Sequence, residues 1–371
     1  MGGVAIVGAG GFVGARLLEL AAYDGRRDIV PIVRAHRSVA RTAHLGIAHR
    51  IGDASDPVSL GAALSGCDVV VNLTMGEASE VLPIAKSVYA AAVAAGARLV
   101  VHLSSATVYG GIERSDLAED ARPRADHWMP YARQKGLAED FLRGRMAGSG
   151  PRIVVLRPGL IWGPGSPWVE GPGAELVHGS AYLVGDGSGI CNLMYVDDLV
   201  RRIFAVVDHA APVSGFYNVA DSGPITWAEY YAALASAVGA SAWEIQRLPA
   251  GPYHAGLRER LGAVRDTPLY RGLKERLPLE TRTRLKLRLA RARGATSSAG
   301  AARPAPTRTM WELQRTRAAL PAERFAAAFG PTPRTPFADA IAASAAWLGF
   351  IGVDEREQMA YLAAPRSASV A

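Results

Sequence analysis

Near the start of the chain lies the stretch Val4-Ala5-Ile6-Val7-Gly8-Ala9-Gly10-Gly11-Phe12-Val13-Gly14. Its apolar half predicts a buried strand, and the glycines at Gly8-x-x-Gly11-x-x-Gly14 predict a tight turn into a helix. Glycine lets backbone N–H groups and a helix N-terminus come close to a pyrophosphate. An ordinary glycine-rich turn is the alternative, but strand, turn and helix follow in the order that dinucleotide binding needs. We therefore predict that a dinucleotide contacts Gly8, Gly11, Phe12, Val13 and Gly14.

Further apolar runs alternate with helical segments through the first half of the chain. This alternation predicts an α/β fold with a doubly wound parallel sheet, a Rossmann fold. The predicted strands are Val4–Val7, Ile29–Val33, Asp68–Leu73, Leu99–Leu103, Ile153–Leu156 and Phe216–Val219. Later helices are predicted at Thr226–Val238, opened by a Thr cap, and at Phe337–Leu348. The section from about Gly163 to Cys191 is rich in Gly, Pro and Trp and is predicted to be a loop.

The order of these elements predicts two domains. We expect residues 1–162 and 191–220 to form a dinucleotide-binding domain, with the later segment returning to the large sheet. Residues 163–190 and 221–350 would form a smaller substrate-binding domain that carries a basic insertion at 271–306. Residues 351–371 are expected to be a disordered tail, and Thr296–Pro306 a flexible linker.

Composition narrows the class of protein. The chain has 371 residues, 49% of them hydrophobic and 20% charged, which excludes wholesale disorder. Its two cysteines, Cys67 and Cys191, lack a partner motif, so a disulfide framework and a cysteine-based zinc site are excluded and no metal is expected. A reducing, cytoplasmic compartment is predicted. No apolar run reaches the roughly 20 residues of a spanning helix, and the opening apolar run is interpreted as a strand, not a signal peptide.

The net charge of +7 is concentrated in one segment, Arg271–Arg293. A basic patch of this kind does not indicate nucleic-acid binding by the whole protein. The plain interpretation is a solvated surface extension. An alternative is a basic amphipathic helix that contacts an anionic membrane surface, a lipid-linked substrate or an acidic partner, and a substrate diphosphate could also meet its arginines.

The end of the second predicted strand indicates the type of dinucleotide. NAD-preferring proteins usually place an acidic residue there for the ribose 2′-hydroxyl, whereas a basic residue can hold a 2′-phosphate. Here Arg34 and Arg37 are present and no Asp or Glu is. A solvated basic loop is the alternative, but the pattern favours NADP over NAD. Asp53, after the next short strand, could meet the adenine.

Tyr131 and Lys135 are spaced i and i+4, so they share one face of a predicted helix that Pro130 opens. A Tyr hydroxyl has a pKa of ~10, and a neighbouring ammonium and a nicotinamide cation would favour its phenolate. This spacing alone is common by chance. It gains weight because a predicted strand ends just before Ser104-Ser105-Ala106-Thr107-Val108-Tyr109-Gly110, where a hydroxyl faces the ligand crevice of an open sheet.

With these motifs the sequence resembles the extended short-chain dehydrogenase/reductase superfamily, the NAD(P)-dependent epimerase/dehydratase group. The glycine turn, the Ser-Ser-Ala-Thr-Val-Tyr-Gly stretch and the Tyr-x-x-x-Lys pair come in that family's order. So do Leu156–Gly165, Met194–Leu199 and Phe216–Ala220. The resemblance covers about Met1 to Ala240 and resumes near Phe329–Leu348.

The resemblance implies a role for each matching residue. Tyr131 would exchange a proton with a substrate hydroxyl or carbonyl during hydride transfer. Lys135 would lower the pKa of Tyr131 and hold the nicotinamide ribose, and Ser105 would hydrogen-bond the substrate oxygen, with Thr107 assisting. Pro158 and Gly159 would line the nicotinamide, and Thr74 would touch the cofactor or pack in the core. Asp197 and Asp198 resemble a structural acidic pair.

Two departures from the family pattern narrow the chemistry. The family's 4,6-dehydratases carry an Asp-Glu pair after the catalytic hydroxyl, where this chain has Ala106 and Thr107, which argues against dehydration. Arg157-Pro158-Gly159 resembles reductase and hydroxysteroid-dehydrogenase-like branches, although the Ser105–Gly110 stretch also resembles a galactose-epimerase motif.

The expected function is that of an NAD(P)-dependent oxidoreductase or epimerase acting on a hydroxyl or carbonyl of a nucleotide sugar or related polyol. One alternative is an NADPH-dependent reductase or dehydrogenase of an apolar ketone or alcohol. A non-catalytic dinucleotide-binding regulator is an alternative of another class. By analogy with the family, a homodimer is expected.

Overall fold

The computed structural model describes residues 2–110, 117–221, 223–240, 242, 245–254 and 304–353. Its strands are β1 (Gly3–Val7), β2 (Ile29–Val33), β3 (Arg50–Ile51), β4 (Cys67–Asn72), β5 (Leu99–Leu103), β6 (Arg152–Pro158), β7 (Leu160–Trp162), β8 (Tyr182–Val184), β9 (Leu193–Tyr195), β10 (Gly215–Val219) and β11 (Gln246–Leu248). Seven form one sheet in the order β10-β6-β5-β4-β1-β2-β3. Every neighbouring pair is parallel. The predicted doubly wound parallel sheet is confirmed.

The helices are α1 (Phe12–Tyr23), α2 (Pro57–Ala63), α3 (Val81–Ala94), α4 (Pro130–Arg143), α5 (Pro167–Val177), α6 (Val196–Asp208), α7 (Trp227–Ala237), α8 (Arg308–Leu313), α9 (Glu323–Phe329) and α10 (Phe337–Phe350). Short 3₁₀ helices span His36–Leu45, Ala78–Glu80 and Ala106–Tyr109. Helices α1 and α6 pack against each other on one face of the sheet, while α2, α3 and α4 form a row on the other.

The period of the strands explains why both faces are covered. In β1, Val4 and Ile6 enter the core beneath α1 and α6, whereas Ala5 and Val7 enter the core beneath α2 and α3. Strands buried on both sides need apolar side chains at every position, which is the pattern that the sequence showed. The sheet order reverses between β1 and β4, and this reversal is where open α/β sheets form their ligand crevice.

A second, smaller core lies beyond the carboxyl ends of β6 and β10. It is aromatic, with Trp162 of β7, Tyr195 of β9 and Trp227, Tyr230 and Tyr231 of α7 buried together. Helices α5 and α10 also pack on it. The separate core suits the smaller C-terminal unit that we predicted, and the domain boundaries stay a prediction.

The predicted loop from Gly163 to Cys191 is wrong over much of its length, because it contains α5 and β8. Ser166 caps α5 by accepting a hydrogen bond from the Trp168 N–H, and Pro167 occupies the first helical position. The sequence favours a loop here because the helix contains Gly171, Pro172 and Gly173, residues that are typical of turns. Leu348 of α10 packs directly on Gly173, so a Cβ at this position would push against the Leu348 methyl groups.

The return to the large sheet is also only partly as predicted. β10 joins the sheet beside β6, but β9 pairs with β7 in a separate two-stranded sheet. The predicted Thr226 cap is confirmed, with Thr226 and Glu229 forming a capping box at α7. The basic segment 271–293, the tail 354–371 and most of the linker 296–306 lie outside the described residues.

Candidate active site

The carboxyl edge of the sheet brings most of the predicted site residues together. Gly8 follows β1, Thr74 follows β4 and Ser105 follows β5, while Pro158 and Gly159 end and follow β6. At the same edge Arg34 and Asp53 follow β2 and β3. Because all these strands are parallel, their carboxyl ends meet at one crevice.

The glycine turn has the geometry that a pyrophosphate requires. Gly8 has a φ of 89°, which favours glycine. A Cβ on Gly14 would collide with the Gly8 carbonyl and the Ala9 backbone. Helix α1 begins after Gly11 with no side-chain cap and no acidic residue in its first turn. Its first N–H groups therefore suit an anion, and the turn fits a dinucleotide phosphate.

Phe12 and Val13, the two other residues predicted to contact the dinucleotide, differ in how exposed their side chains are. Val13 is buried in the core beneath α1, and Phe12 packs against that core while partly exposed. Only the backbone of Val13 therefore suits a cofactor contact, whereas the exposed part of Phe12 can also offer its side chain.

The part of this edge that follows β2 is basic. The side chains of Arg34 and Arg37 are exposed at the end of β2 and the start of the following 3₁₀ helix. The pKa of Asp53 is lowered first by hydrogen bonds from Ser55 and also by the charge of Arg34. Arg34 and Asp53 thus follow two paired strands, β2 and β3, at the position where the sequence predicts the ribose and adenine to lie.

Thr74 is held by its neighbour in the sheet. Its N–H and its hydroxyl both donate to Oδ1 of Asn72, at 3.1 and 2.6 Å. The Asn72 amide nitrogen in turn contacts Nδ1 of His102 at 3.1 Å. These bonds fix the Thr74 backbone at the end of β4, beside the glycine turn.

Ser105 and Thr107 form a hydroxyl pair after β5. The Thr107 N–H and hydroxyl both donate to Ser105 Oγ, at 3.2 and 3.0 Å. Ser105 Oγ accepts both bonds, so its own hydrogen is the part of the hydroxyl that can be offered to a substrate oxygen. Thr107 orients Ser105 here, as an assisting residue would.

Tyr131 and Lys135 lie on one face of α4, which begins at Pro130 as predicted. Lys135 is only 3% exposed, and its Nζ donates to the Leu103 carbonyl at 2.7 Å. The same Nζ lies 5.7 Å from the centre of the Tyr131 ring. The ammonium therefore lies near both the phenol ring and Leu103, the last residue of β5, which comes two residues before Ser105.

Burial controls the charge of both groups. Burial raises the pKa of Tyr131 to about 12, so the phenol keeps its proton at neutral pH. Burial also lowers the pKa of Lys135 to about 8, against the opposing effect of the Glu139 carboxylate. The site thus holds a neutral phenol beside an ammonium. The lowering of the Tyr131 pKa by Lys135 stays a prediction.

Asp197 and Asp198 are used in packing bonds. Asp197 accepts two hydrogen bonds from Arg16, at 2.6 and 2.8 Å, which tie α6 to the helix after the glycine turn. Asp198 accepts from the Thr335 backbone and hydroxyl and from Arg201. Both carboxylates join α6 to its neighbours, as a structural pair would.

Sequence reasoning missed the role of Glu139. This residue lies one turn beyond Lys135 on α4, and its carboxylate pairs with Arg157 of β6 in the core. The i, i+4 spacing of Lys135 and Glu139 was a signal that could have found it. Its Arg157 partner could not be found in this way, because their contact depends on how α4 packs on β6.

Residues 4–220 match the model of the NAD dependent epimerase/dehydratase family. The chain belongs to this family. The description of this family makes a nicotinamide dinucleotide its cofactor.

Relatives within the family have different activities. The chain is 28% identical to an N-acetyl-alpha-D-glucosaminyl-diphospho-ditrans,octacis-undecaprenol 4-epimerase of Escherichia coli O157:H7, over 59% of this chain and 67% of the relative. It is 27% identical to a 2-alkyl-3-oxoalkanoate reductase of Stenotrophomonas maltophilia, over 64% and 76%. A UDP-glucuronic acid 4-epimerase of Bacillus cereus shares the fold with a TM-score of 0.65 at 15% identity, covering 94% of this chain and 99% of that one.

Neither a cluster of metal ligands nor a membrane-spanning helix occurs among the described residues. They contain no group of three or more His, Cys, Asp or Glu side chains that could hold a metal ion. Among the helices of the described segments, none is long and apolar enough to cross a membrane. Cys67 and Cys191 are buried free thiols.

Proposed function

We propose that this chain is a nicotinamide-dependent oxidoreductase that reduces a carbonyl carbon, with Ser105, Tyr131 and Lys135 as its catalytic residues. The observation that carries the proposal is the position of the half-buried Tyr131 ring, 5.7 Å from the Lys135 ammonium, on a helix that the Lys135 hydrogen bond to the Leu103 carbonyl joins to the end of β5. A phenol that keeps its proton at neutral pH is ready to donate it.

The chain's own residues would handle the oxygen and the proton. Ser105 offers its hydroxyl hydrogen to the carbonyl oxygen and fixes its place. Tyr131 donates its phenolic proton to that oxygen as the carbon is reduced, so an alcohol forms and a phenolate is left. Lys135 stabilises the phenolate until solvent restores the proton. When bound, the dinucleotide supplies the hydride and leaves oxidised. The reverse sequence oxidises an alcohol.

We propose NADP as the preferred dinucleotide, with NAD as the alternative. Arg34 and Arg37 are exposed beside the end of β2, and either guanidinium can pair with a ribose 2′-phosphate. Asp53 is already engaged by Ser55 and by the charge of Arg34. Gly8, Gly11, Gly14 and the backbone of Thr74 would hold the pyrophosphate side, and Pro158 and Gly159 the nicotinamide.

Reduction of an apolar ketone is the first candidate reaction. A preference for NADP suits a net reductase, and the Stenotrophomonas maltophilia relative is a 2-alkyl-3-oxoalkanoate reductase by name. Epimerisation or oxidation of a nucleotide sugar or related polyol is the second candidate, supported by the Escherichia coli relative, which is named for a diphosphate-linked sugar. Dehydration is not proposed, because Ala106 offers neither a general acid nor a base after Ser105.

The three catalytic side chains argue against a purely regulatory dinucleotide-binding protein, which would not need Tyr131 and Lys135 together. The homodimer and the cytoplasmic location stay predictions. Sedimentation of the purified chain tests the first, and fractionation of cells tests the second.

The experiment that tests the proposed function begins with mass spectrometry of the dinucleotide released by the denatured, purified protein. NADPH and NADH binding and oxidation are then measured with a 2-alkyl-3-oxoalkanoate and with UDP-sugars. NADPH oxidation with the ketone supports the reductase. Retained NAD and interconversion of UDP-sugars without net oxidation would support the epimerase instead, and no binding of either dinucleotide would contradict both.

A further inference from the structure

A fully buried ion pair lies directly behind the catalytic edge. The carboxylate of Glu139 accepts hydrogen bonds from Arg157, with Nη2 at 2.6 Å and Nε at 3.0 Å, and from Ser104 Oγ at 2.6 Å. Glu139 and Arg157 are both 0% exposed. One carboxylate therefore connects α4 to the ends of both β5 and β6.

The far side of Arg157 is also saturated with partners. Its Nη1 donates to the Tyr109 hydroxyl at 2.8 Å and to the Glu119 carbonyl at 3.0 Å. The Tyr109 hydroxyl in turn donates a hydrogen bond to Oδ1 of Asn218 in β10 at 2.7 Å. In the described part of the chain, Glu139 is the carboxylate that compensates the Arg157 charge, since Glu119 contributes only its carbonyl to this guanidinium.

Glu139 is connected to each catalytic residue by one short step. It lies one helical turn beyond Lys135, which lies one turn beyond Tyr131. Its partner Ser104 directly precedes Ser105. The residue before Ser104 is Leu103, whose carbonyl accepts a hydrogen bond from the Lys135 ammonium at 2.7 Å. Two hydrogen bonds thus hold the end of β5 against α4: Lys135 donates to the Leu103 carbonyl, and Ser104 donates to Glu139.

We propose that Glu139 is a positioning residue of the active site: it holds the strand end that carries Ser105 against α4, and its negative charge stabilises the buried Lys135 ammonium. This inference rests on the proposed function, because it assigns Glu139 a task toward the same three catalytic residues. Arg157 would hold the Glu139 carboxylate in place through its hydrogen bonds.

Of the described groups around Lys135, Glu139 is the one whose charge stabilises the ammonium. From β5 the ring of His102 faces Lys135, but burial lowers the pKa of His102 to about 3, so the ring is neutral. Tyr131 on α4 keeps its proton. Arg157 from β6 and Arg143 from α4 both face Glu139 and are cations. Among the described groups, Glu139 is the anion that opposes the loss of the Lys135 proton.

The test uses the small number of lysines in this protein. The sequence has four, Lys86, Lys135, Lys274 and Lys286, so the full-length chain labelled with ¹³C-lysine gives few Cε signals to follow in a pH titration. Loss of one signal in Lys135→Arg identifies that of Lys135. We expect Glu139→Gln to lower the Lys135 pKa by about one unit. Asp140→Asn removes the next carboxylate of α4, which is exposed, and should leave that pKa unchanged.

A second variant separates position from charge. Ser104→Ala breaks the bond to Glu139 but keeps its charge, so we expect an unchanged Lys135 pKa and a kcat for NADPH oxidation lowered about tenfold. It also serves as the test if Glu139→Gln does not fold. An unchanged Lys135 pKa in folded Glu139→Gln, or a wild-type kcat in Ser104→Ala, would overturn the proposal. The titration needs no turnover, so a wild-type protein without hydride transfer would overturn the proposed function separately.

Discussion

The ammonium of Lys135 lies 5.7 Å from the centre of the Tyr131 ring and donates its hydrogen bond to the last carbonyl of β5. This relationship joins helix α4 to the strand whose next residues are Ser104 and Ser105. It places a phenol, a cation and a hydroxyl at one edge of the sheet. The glycine turn after β1 opens at the same edge, which is the arrangement that the proposed hydride transfer needs.

Removing the phenolic oxygen should abolish turnover but not binding. Tyr131→Phe keeps the ring against Lys135 and loses only the proton donor, so we expect the rate of NADPH oxidation to fall about 100-fold or more. NADPH affinity should change little. Stopped-flow kinetics and fluorescence titration measure the two quantities. Tyr23→Phe, at an exposed position, is the matched control, and a Tyr131→Phe enzyme as fast as wild type would exclude Tyr131 as the donor.

The pH dependence of reduction should be set by Lys135. Its ammonium is lost as the pH rises through about 8, whereas Tyr131, with a pKa of about 12, still carries its proton there. The rate should therefore fall on the alkaline side of about pH 8 and not be lost to ionisation of Tyr131. Lys135→Arg should remove this fall within the measurable range, because a guanidinium stays charged. An identical alkaline limb in that variant would contradict the assignment.

The two arginines after β2 should decide between the dinucleotides. We expect Arg34→Ala combined with Arg37→Ala to weaken NADPH binding at least about tenfold while NADH binding changes little, because only NADPH carries the 2′-phosphate. Arg27→Ala, at the opposite end of β2, should change neither affinity. Calorimetric titration measures the affinity of each of these two variants for NADPH and for NADH. Equal losses for NADPH and NADH would mean that these arginines do not read the 2′-phosphate.

The glycine turn should tolerate no side chain at its third glycine. Gly14→Ala places a Cβ against the Gly8 carbonyl and the Ala9 backbone, and we expect it to cost about 1–3 kcal/mol of unfolding free energy and to weaken dinucleotide binding. Gly171→Ala in α5 meets no atom within 4 Å and should be neutral or stabilising. Urea unfolding compares the two variants, and equal stabilities would show that the turn is not close-packed.

The parts that sequence reasoning could predict are those encoded locally. Val4–Val7, the glycines after it and the i, i+4 pair of Tyr131 and Lys135 each carry their signal within a few residues. Parallel topology then places the strand ends at one edge without further information. For the same reason the fold could be predicted before any contact was known.

The parts that could not be predicted depend on distant contacts. Helix α5 contains Gly171, Pro172 and Gly173, which favour a loop locally, yet packing on Leu348 stabilises it as a helix. β9 pairs with β7 because the aromatic core draws Trp162 and Tyr195 together. The bond between Glu139 and Arg157 and the raised pKa of the half-buried Tyr131 likewise follow from burial, which has no signature in a single stretch of sequence.

The most direct test of the central claim follows the hydrogen itself. The wild-type enzyme is incubated with a 2-alkyl-3-oxoalkanoate and NADPH deuterated at C4 on either face, and the product is analysed by mass spectrometry. Hydride transfer at this site predicts one deuterium on the new carbinol carbon, from one face of NADPH only. A product without deuterium from either face, or an unchanged ketone with NADPH and NADH alike, would contradict the claim that this chain is a reductase.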